Sequence, residues 1–393
     1  MDNAPNRVIV ASFCLMVASF HFEMPDGRFH YQLPSMAAAL FTACTALQPR
    51  VCYRRLPAAL LWSIAFLFAY CACTLLHGWN IAWDMRRMIL FLVQAIFVFW
   101  AAANLLADER VSRKVLWAFA AASVVRAALP FLGIGRTTYQ EHWTGGERVS
   151  AWGQDPNFAS TLLSAGALAL IWLTHARPGT PRWLRLLTWP AVTLITLAIL
   201  DSGSRGGMLA LAAGLLGSML RYTERVTALM RQVLLGVVAI AALGFGAMNT
   251  EVMRGRVEAT TQGGSLAGRE KIFPALWDMF LERPLTGWGP QLNHHEIALR
   301  APYIAKEYRD SHNLFLEVMT ATGLVGTVPF FVALGLCVAA AWRGRRGDYG
   351  ILPFALLSVL LVANLSIDML LHKPLWFVLG FTTAGASRLQ PDA

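Results

Sequence analysis

Leu324-Val-Gly-Thr-Val-Pro-Phe-Phe-Val-Ala-Leu-Gly-Leu-Cys-Val-Ala-Ala-Ala-Trp342 runs without a single charge, and Arg343, Arg345 and Arg346 follow it at once. A helix of about 20 apolar residues crosses the hydrocarbon layer of a bilayer, and trailing arginines hold that end on the cytoplasmic side. The same pattern repeats outward in both directions. Windows of about nineteen residues place further spans near 7–21, 34–48, 57–76, 88–107, 115–133, 157–175, 186–201, 206–220, 232–248, 351–366 and 374–388. The expected fold class is therefore an all-α polytopic membrane protein with about 12 transmembrane helices, a single integral-membrane domain over residues 1–393.

Composition agrees. Of 393 residues 56% are hydrophobic and only 14% charged, and the mean hydropathy is +0.49. Soluble domains carry about 25% charged residues, so stacked soluble domains are excluded. The net charge of +10 does not indicate nucleic acid, because the arginines sit in small clusters between apolar runs. Five of the six cysteines lie inside apolar runs, and Cys71-Ala-Cys73 has no second pair or histidines beside it, so neither a disulfide framework nor a zinc site is implied. The apolar run Val8–Phe20 has no small-residue cleavage signature after it and reads as the first span.

Orientation comes from the short loops, where lysine and arginine stay on the cytoplasmic side. Every second connection is basic: Arg50, Arg54 and Arg55; Arg110, Arg113 and Lys114; Arg177, Arg182 and Arg185; Arg221, Arg225 and Arg231; Arg343, Arg345 and Arg346. Both termini are then expected in the cytoplasm. The opposite face receives two longer connections, residues 134–156 and 249–323. In the second, Ile272, Leu276, Met279 and Phe280 recur at helical spacing, with Pro274 at a start or kink and Pro284, Gly287, Gly289 and Pro290 as a turn. This predicts a helix along the membrane surface with Trp277 and Trp288 at headgroup level. A cap without chemistry is the alternative.

Four polar segments converge on that outer face. Asp201-Ser-Gly-Ser-Arg205-Gly-Gly-Met-Leu209 puts a guanidinium at a helix start, where free N–H groups also attract anions; an arginine snorkelling to headgroups would look the same. Gly263-Gly-Ser-Leu-Ala-Gly-Arg269-Glu-Lys271 offers a second planar fork for phosphate oxygens, or an ion-pair partner for Glu270 or Asp310. Arg148 to Asn157 ends in a polar turn into a span, where Asp155 and Asn157 serve equally well as helix caps. Asp310-Ser311-His312-Asn313 begins another span, and His312 is the histidine best placed to accept a proton near neutral pH; alone, it also reads as an interfacial hydrogen-bonding residue.

Other chemistries fit poorly. His294-His295-Glu296 lacks the second histidine of H-E-x-x-H because residue 299 is leucine, and no phosphate-loop motif occurs. Asp201 and Asp368 stand at span ends, against an aspartyl intramembrane protease, and Arg126 is the clearest ionisable residue within a span. A lipid-linked-glycan transporter would show paired halves and a charged central route rather than polar groups gathered on one side.

Together these segments resemble the O-antigen ligase family of bacterial inner-membrane glycosyltransferases, over roughly residues 150–345. The family's histidine, followed by Asn, Ser or Gln, nine residues and G-x-x-G, is matched by His312-Asn313 and Gly323 to Gly326. Its R-x-x-x-L is matched by Arg205 and Leu209, its loop arginine by Arg269 and its D-P-N turn by Asp155-Pro156-Asn157. The resemblance implies a twelve-span, GT-C-like enzyme with a periplasmic active site, working without metal, nucleotide or other cofactor. Its donor would be an undecaprenyl-diphosphate-linked O-antigen and its acceptor the lipid A-core oligosaccharide. His312 would then be the base, and Arg205, Arg269 and Arg148 would bind the diphosphate. Asn313 would orient the imidazole, and Gly323 and Gly326 would allow close packing. O-antigen polymerases and protein O-oligosaccharyltransferases need a similar diphosphate site.

Overall fold

A computed structural model describes residues 4–23, 32–78, 86, 88, 90–140, 147–176, 179–220, 226–263, 268–301 and 309–387. Arg177, Arg221, Arg225 and Gly264 to Ala267 of the segments above lie outside them. The described chain is helical apart from one hairpin. In order the helices are α1 (Arg7–Ser19), α2 (Gln32–Thr45), the short α3 (Pro49–Cys52), α4 (Ala58–Leu76), α5 (Leu90–Leu105), α6 (Glu109–Phe131), α7 (Pro156–His175), α8 (Arg182–Asp201), α9 (Arg205–Met219), α10 (Val226–Asn249), α11 (Glu251–Gly263), α12 (Arg269–Glu282), α13 (Pro290–Arg300), α14 (Leu314–Gly344), α15 (Leu352–Ala363) and α16 (Lys373–Ser387). Between α6 and α7, β1 (Arg136–Gln140) pairs antiparallel with β2 (Glu147–Ala151), Arg136 opposite Ala151.

Each apolar stretch found in the sequence falls on a helix. Among the described residues five helices, α4, α6, α7, α8 and α14, are long and apolar enough to cross a bilayer singly. Helices α10 and α11 count as a sixth span only as a broken pair, since the chain turns by 93° between them. The outer surface confirms an apolar surrounding: Phe68 is 71% exposed and Phe245 74%, a cost in water that lipid removes.

Lipid tails are as apolar as leucine, so helices in a bilayer associate by close fit, and small residues permit it. Helix α9 is the clearest case. A Cβ on Gly207 would strike the Ser160 side chain and one on Gly214 the Leu168 side chain, so α9 runs parallel to α7. Gly217 would meet Ala355 Cα at 3.3 Å and Gly206 the Ser366 side chain, so it runs antiparallel to α15. The aromatic centre lies elsewhere, where Phe13 stacks on Phe41 at 4.5 Å and Trp376 meets Phe91 edge-on at 5.1 Å.

Helix α14 breaks at Gly323 (φ 56°, ψ −159°), and its freed backbone groups bond to Pro284–Gly289, the turn between α12 and α13. Leu324 N donates to Pro284 O (2.7 Å) and Val325 N to Leu285 O (3.1 Å), while Trp288 N and Gly289 N donate to Thr320 O (2.8 Å) and Ala321 O (2.9 Å). The α12–α13 hairpin is therefore keyed into a spanning helix. Trp277 is 49% exposed, as a headgroup-level residue should be, but Trp288 is buried. Its indole N–H reaches Met279 O (2.9 Å), and the Arg283 and Arg300 guanidiniums lie 4.0 and 4.7 Å from its ring. Trp288 thus holds the hairpin together by cation–π contact instead of anchoring it in lipid.

Candidate active site

Six helix ends meet at one end of the bundle: the starts of α7, α9, α14 and α16 and the finishes of α8 and α15. Three of the four polar segments singled out from the sequence lie at these ends, and the fourth, at the start of α12, reaches them through Arg269. Helix starts collect unsatisfied N–H groups, and short polar side chains satisfy them. Asp155 caps α7, its Oδ1 accepting from Asn157 N (2.8 Å) and Phe158 N (2.9 Å). Ser204 caps α9 by accepting from Gly207 N (2.9 Å). Asn313 caps α14, accepting from Phe315 N and Leu316 N at 3.0 Å, and its Nδ2 donates to Leu365 O (3.4 Å).

Around the α8–α9 turn the arginines gather. Arg148, on β2, donates Nε to Ser202 O (2.9 Å) and Nη2 to Asn157 Oδ1 (3.2 Å). Asn157 is therefore an acceptor for Arg148 and for Ser204 Oγ (2.8 Å), the capping role falling to Asp155 alone. Arg205, the first residue of α9, donates Nη1 to Arg256 O (3.2 Å) and to Thr260 Oγ1. Gly203 (φ 62°) leaves the space these side chains occupy: a Cβ there would lie 3.3 Å from Arg148 Cγ and 3.4 Å from Arg256 Cδ. Arg256 is buried, a third guanidinium at this turn that the sequence did not single out. Its signal was only that eight basic residues lie in the 249–323 connection.

The link to His312 runs through the α15–α16 connection, residues 364–372. Arg269 Nη2 donates to Ser366 O (2.8 Å), and Ser366 is also the residue against which Gly206 packs. Leu314 N donates to Asn364 O (3.0 Å), tying the start of α14 to the same connection. Its own geometry is set by Asn364 Oδ1 accepting from Met369 N and Asp368 Oδ1 from Leu370 N, both 2.9 Å. Burial, with the Glu317 carboxylate nearby, pushes the Asp368 carboxyl up. In the sequence this connection stands out only for Asp368 at a span end. Its polar run of Asn364, Ser366, Asp368, His372 and Lys373 between two apolar spans was the available signal.

His312 is half-buried with φ 52°, one of two non-glycine residues with positive φ among the described residues. Such a backbone costs about 1–3 kcal/mol and persists only where its neighbours hold it. Burial lowers its pKa below the usual imidazole value; the Asp310 and Asp155 carboxylates pull it up, and Arg269 and Arg309 push it down. The imidazole therefore lies between arginines and carboxylates, and its burial favours the neutral form. His372, its ring tilted against that of Phe158 at 4.6 Å, is pushed down to about 4 by burial and then by Lys373.

The remaining residues stand further back. Gly323 lies at the break of α14 and serves the docking of Pro284–Gly289, whereas Gly326 packs against the Thr322 side chain of its own helix. Arg126 lines a cavity with Asp201 and Ser202 of the α8–α9 turn but is held by other acceptors. It donates to His21 O (3.1 Å), Ala151 O (3.3 Å) and Gln154 Oε1 (3.1 Å), bracing the turn that precedes Asp155.

No curated protein matches the chain significantly. The family model described as O-Antigen ligase matches residues 190–331, the stretch carrying Arg205, Arg256, Arg269, His312 and Gly323 to Gly326, and over that stretch the chain is similar to the O-antigen ligase family.

Proposed function

We propose that this protein is an O-antigen ligase of the bacterial inner membrane. It moves an O-antigen glycan from undecaprenyl diphosphate to a hydroxyl of the lipid A-core oligosaccharide, at the periplasmic face and with both termini in the cytoplasm. The observation that carries this reading is the bridge at Ser366, which brings the Arg205 turn and Arg269 together in the α15–α16 connection that also ties down the start of α14, next to the half-buried His312.

In this reading His312 takes the proton of the acceptor hydroxyl as its oxygen attacks the anomeric carbon. The bond from that carbon to the diphosphate oxygen breaks on the opposite face, so the anomeric configuration inverts. Undecaprenyl diphosphate leaves with the bonding electrons. Arg205, Arg269 and Arg148 stabilise the charge gathering on it; an oriented donor of this kind contributes about 3 kcal/mol to a transition state. Backbone and side-chain acceptors hold each of the three guanidiniums before substrate arrives, so little reorganisation opposes the step. These residues provide the base and the charge stabilisation, and the mechanism draws on no metal or nucleotide. Asp155 and Asn157 set the wall of the site, Asn313 sets the start of α14, Gly323 holds the hairpin, and Gly326 allows close packing within α14.

The test is reconstitution with undecaprenyl-diphosphate-linked glycan and lipid A-core acceptor in the presence of a chelator. Glycan-loaded lipid A is expected without added metal or ATP. His312→Ala, Arg205→Ala and Arg269→Ala are each expected to remove at least 99% of product while keeping the wild-type melting temperature. Wild-type turnover by the His312 variant would remove it from the mechanism. Chain growth on the polyprenyl carrier would select an O-antigen polymerase, and transfer to a protein an O-oligosaccharyltransferase.

A further inference from the structure

Behind His312 lies a second imidazole that the reaction as written does not use. His294 is buried on α13, and its two ring nitrogens face two different acids. Nε2 is 2.9 Å from Glu317 Oε1, and the other oxygen of that carboxylate accepts from Asn293 Nδ2 (3.1 Å). Nδ1 is 3.7 Å from Asp310 Oδ1. Its backbone carbonyl accepts from Arg309 N (3.0 Å). One residue thus grips the main chain of Arg309 and the side chain of Asp310, immediately before Ser311 and His312.

The other end of the same turn is held by the same partner. Glu317 lies in the first turn of α14, directly after the cap at Asn313, and is itself buried. A buried carboxylate without partners is strongly destabilising, so this one marks a fixed point. The turn 309–313 therefore runs between His294 at its start and Glu317, the partner of His294, at its finish. A histidine at φ 52° needs such clamping from both ends.

We propose that His294 is a positioning residue for His312, acting through Asp310 and anchored by Glu317; the inference rests on the reading of His312 as the base. The side chain of Asp310 is 71% exposed, and His294 Nδ1, 3.7 Å away, steadies where its charge lies. Once His312 has taken the acceptor's proton, that carboxylate faces the imidazolium, together with Asp155 and against Arg269 and Arg309. The effect belongs to the proton-transfer step and not to donor binding, because the phosphate-facing arginines are held by other acceptors.

The experiment is a double-mutant cycle in the reconstituted transfer assay with the full chain. His294→Gln keeps an amide where Nε2 meets Glu317 and loses Nδ1. It is expected to lower kcat at least 20-fold, with the KM for undecaprenyl-diphosphate-linked glycan within threefold and an unchanged melting temperature. Asp310→Asn is expected to lower kcat similarly, and the double variant to fall no more than threefold below the worse single one. Wild-type kcat in His294→Gln, a raised donor KM at unchanged kcat, or fully additive losses would each overturn the proposal while leaving the base assignment intact. Full activity in His312→Ala would overturn both.

Discussion

His312 combines two costs, a left-handed backbone and partial burial, and both serve a base. Burial favours the neutral imidazole, so the base is already deprotonated at neutral pH. Because the folded pKa lies below about 6.5, kcat/KM should stay level through neutral pH and fall only as pH drops through that lowered value. Asp310 pulls the value up, so Asp310→Asn should move the acid limb of the profile to still lower pH; a limb that stays put or moves upward would show that Asp310 does not face the imidazole. Arg205 offers a second test. Its Nη1 is held by Arg256 O and Thr260 Oγ1, so Thr260→Val should weaken transfer several-fold while Thr260→Ser restores it. This residue scale was the least legible in sequence. The types at 148, 205, 269 and 312 were readable as anion and proton chemistry, but Arg256, Thr260 and Ser366 join them only by contacts more than fifty residues long.

At the scale of elements, the caps and breaks do the positioning. Ser204 satisfies the start of α9 and also donates to Asn157, so Ser204→Ala should cost about 1 kcal/mol as a cap and loosen the hold on Arg148 as well. Helix α14 is interrupted where the G-x-x-G pattern begins. A Cβ on Gly323 would press on the carbonyl of Leu285 and come within 2.6 Å of Thr286 N, at a φ of 56° that other residues adopt poorly. Gly323→Ala should therefore lower the melting temperature in detergent by several degrees and expose Pro284–Gly289 to protease; unchanged melting and cleavage would mean the break is not needed. Hydropathy found the five helices long and apolar enough to span singly, and periodicity found the α12 helix. It could not find the docking of Pro284–Gly289, because backbone bonds to a broken helix leave no trace in side-chain period.

For the whole molecule, polar chemistry lies at one end and the basic connections at the other. Helices α7 and α9 start at the site, and their far ends run to residues 175 and 219, beside the arginine-bearing connections. With Thr261→Cys or Arg346→Cys placed singly in a background lacking the native cysteines, a membrane-impermeant maleimide should label the first in intact cells and the second only after permeabilisation. The reverse pattern would place the site in the cytoplasm. Composition, apolar run length and the alternation of basic loops determined that this chain is a multi-pass helical membrane protein and which polar segments share a face, because the bilayer acts on each segment separately. Only the tertiary structure decided which of those segments touch. Arg269, Ser366 and the Arg205 turn meet through the packing of α9 against α15, and His294 reaches Asp310 through the docking of a hairpin. Such contacts depend on close fit between distant surfaces, which no local pattern of residues encodes.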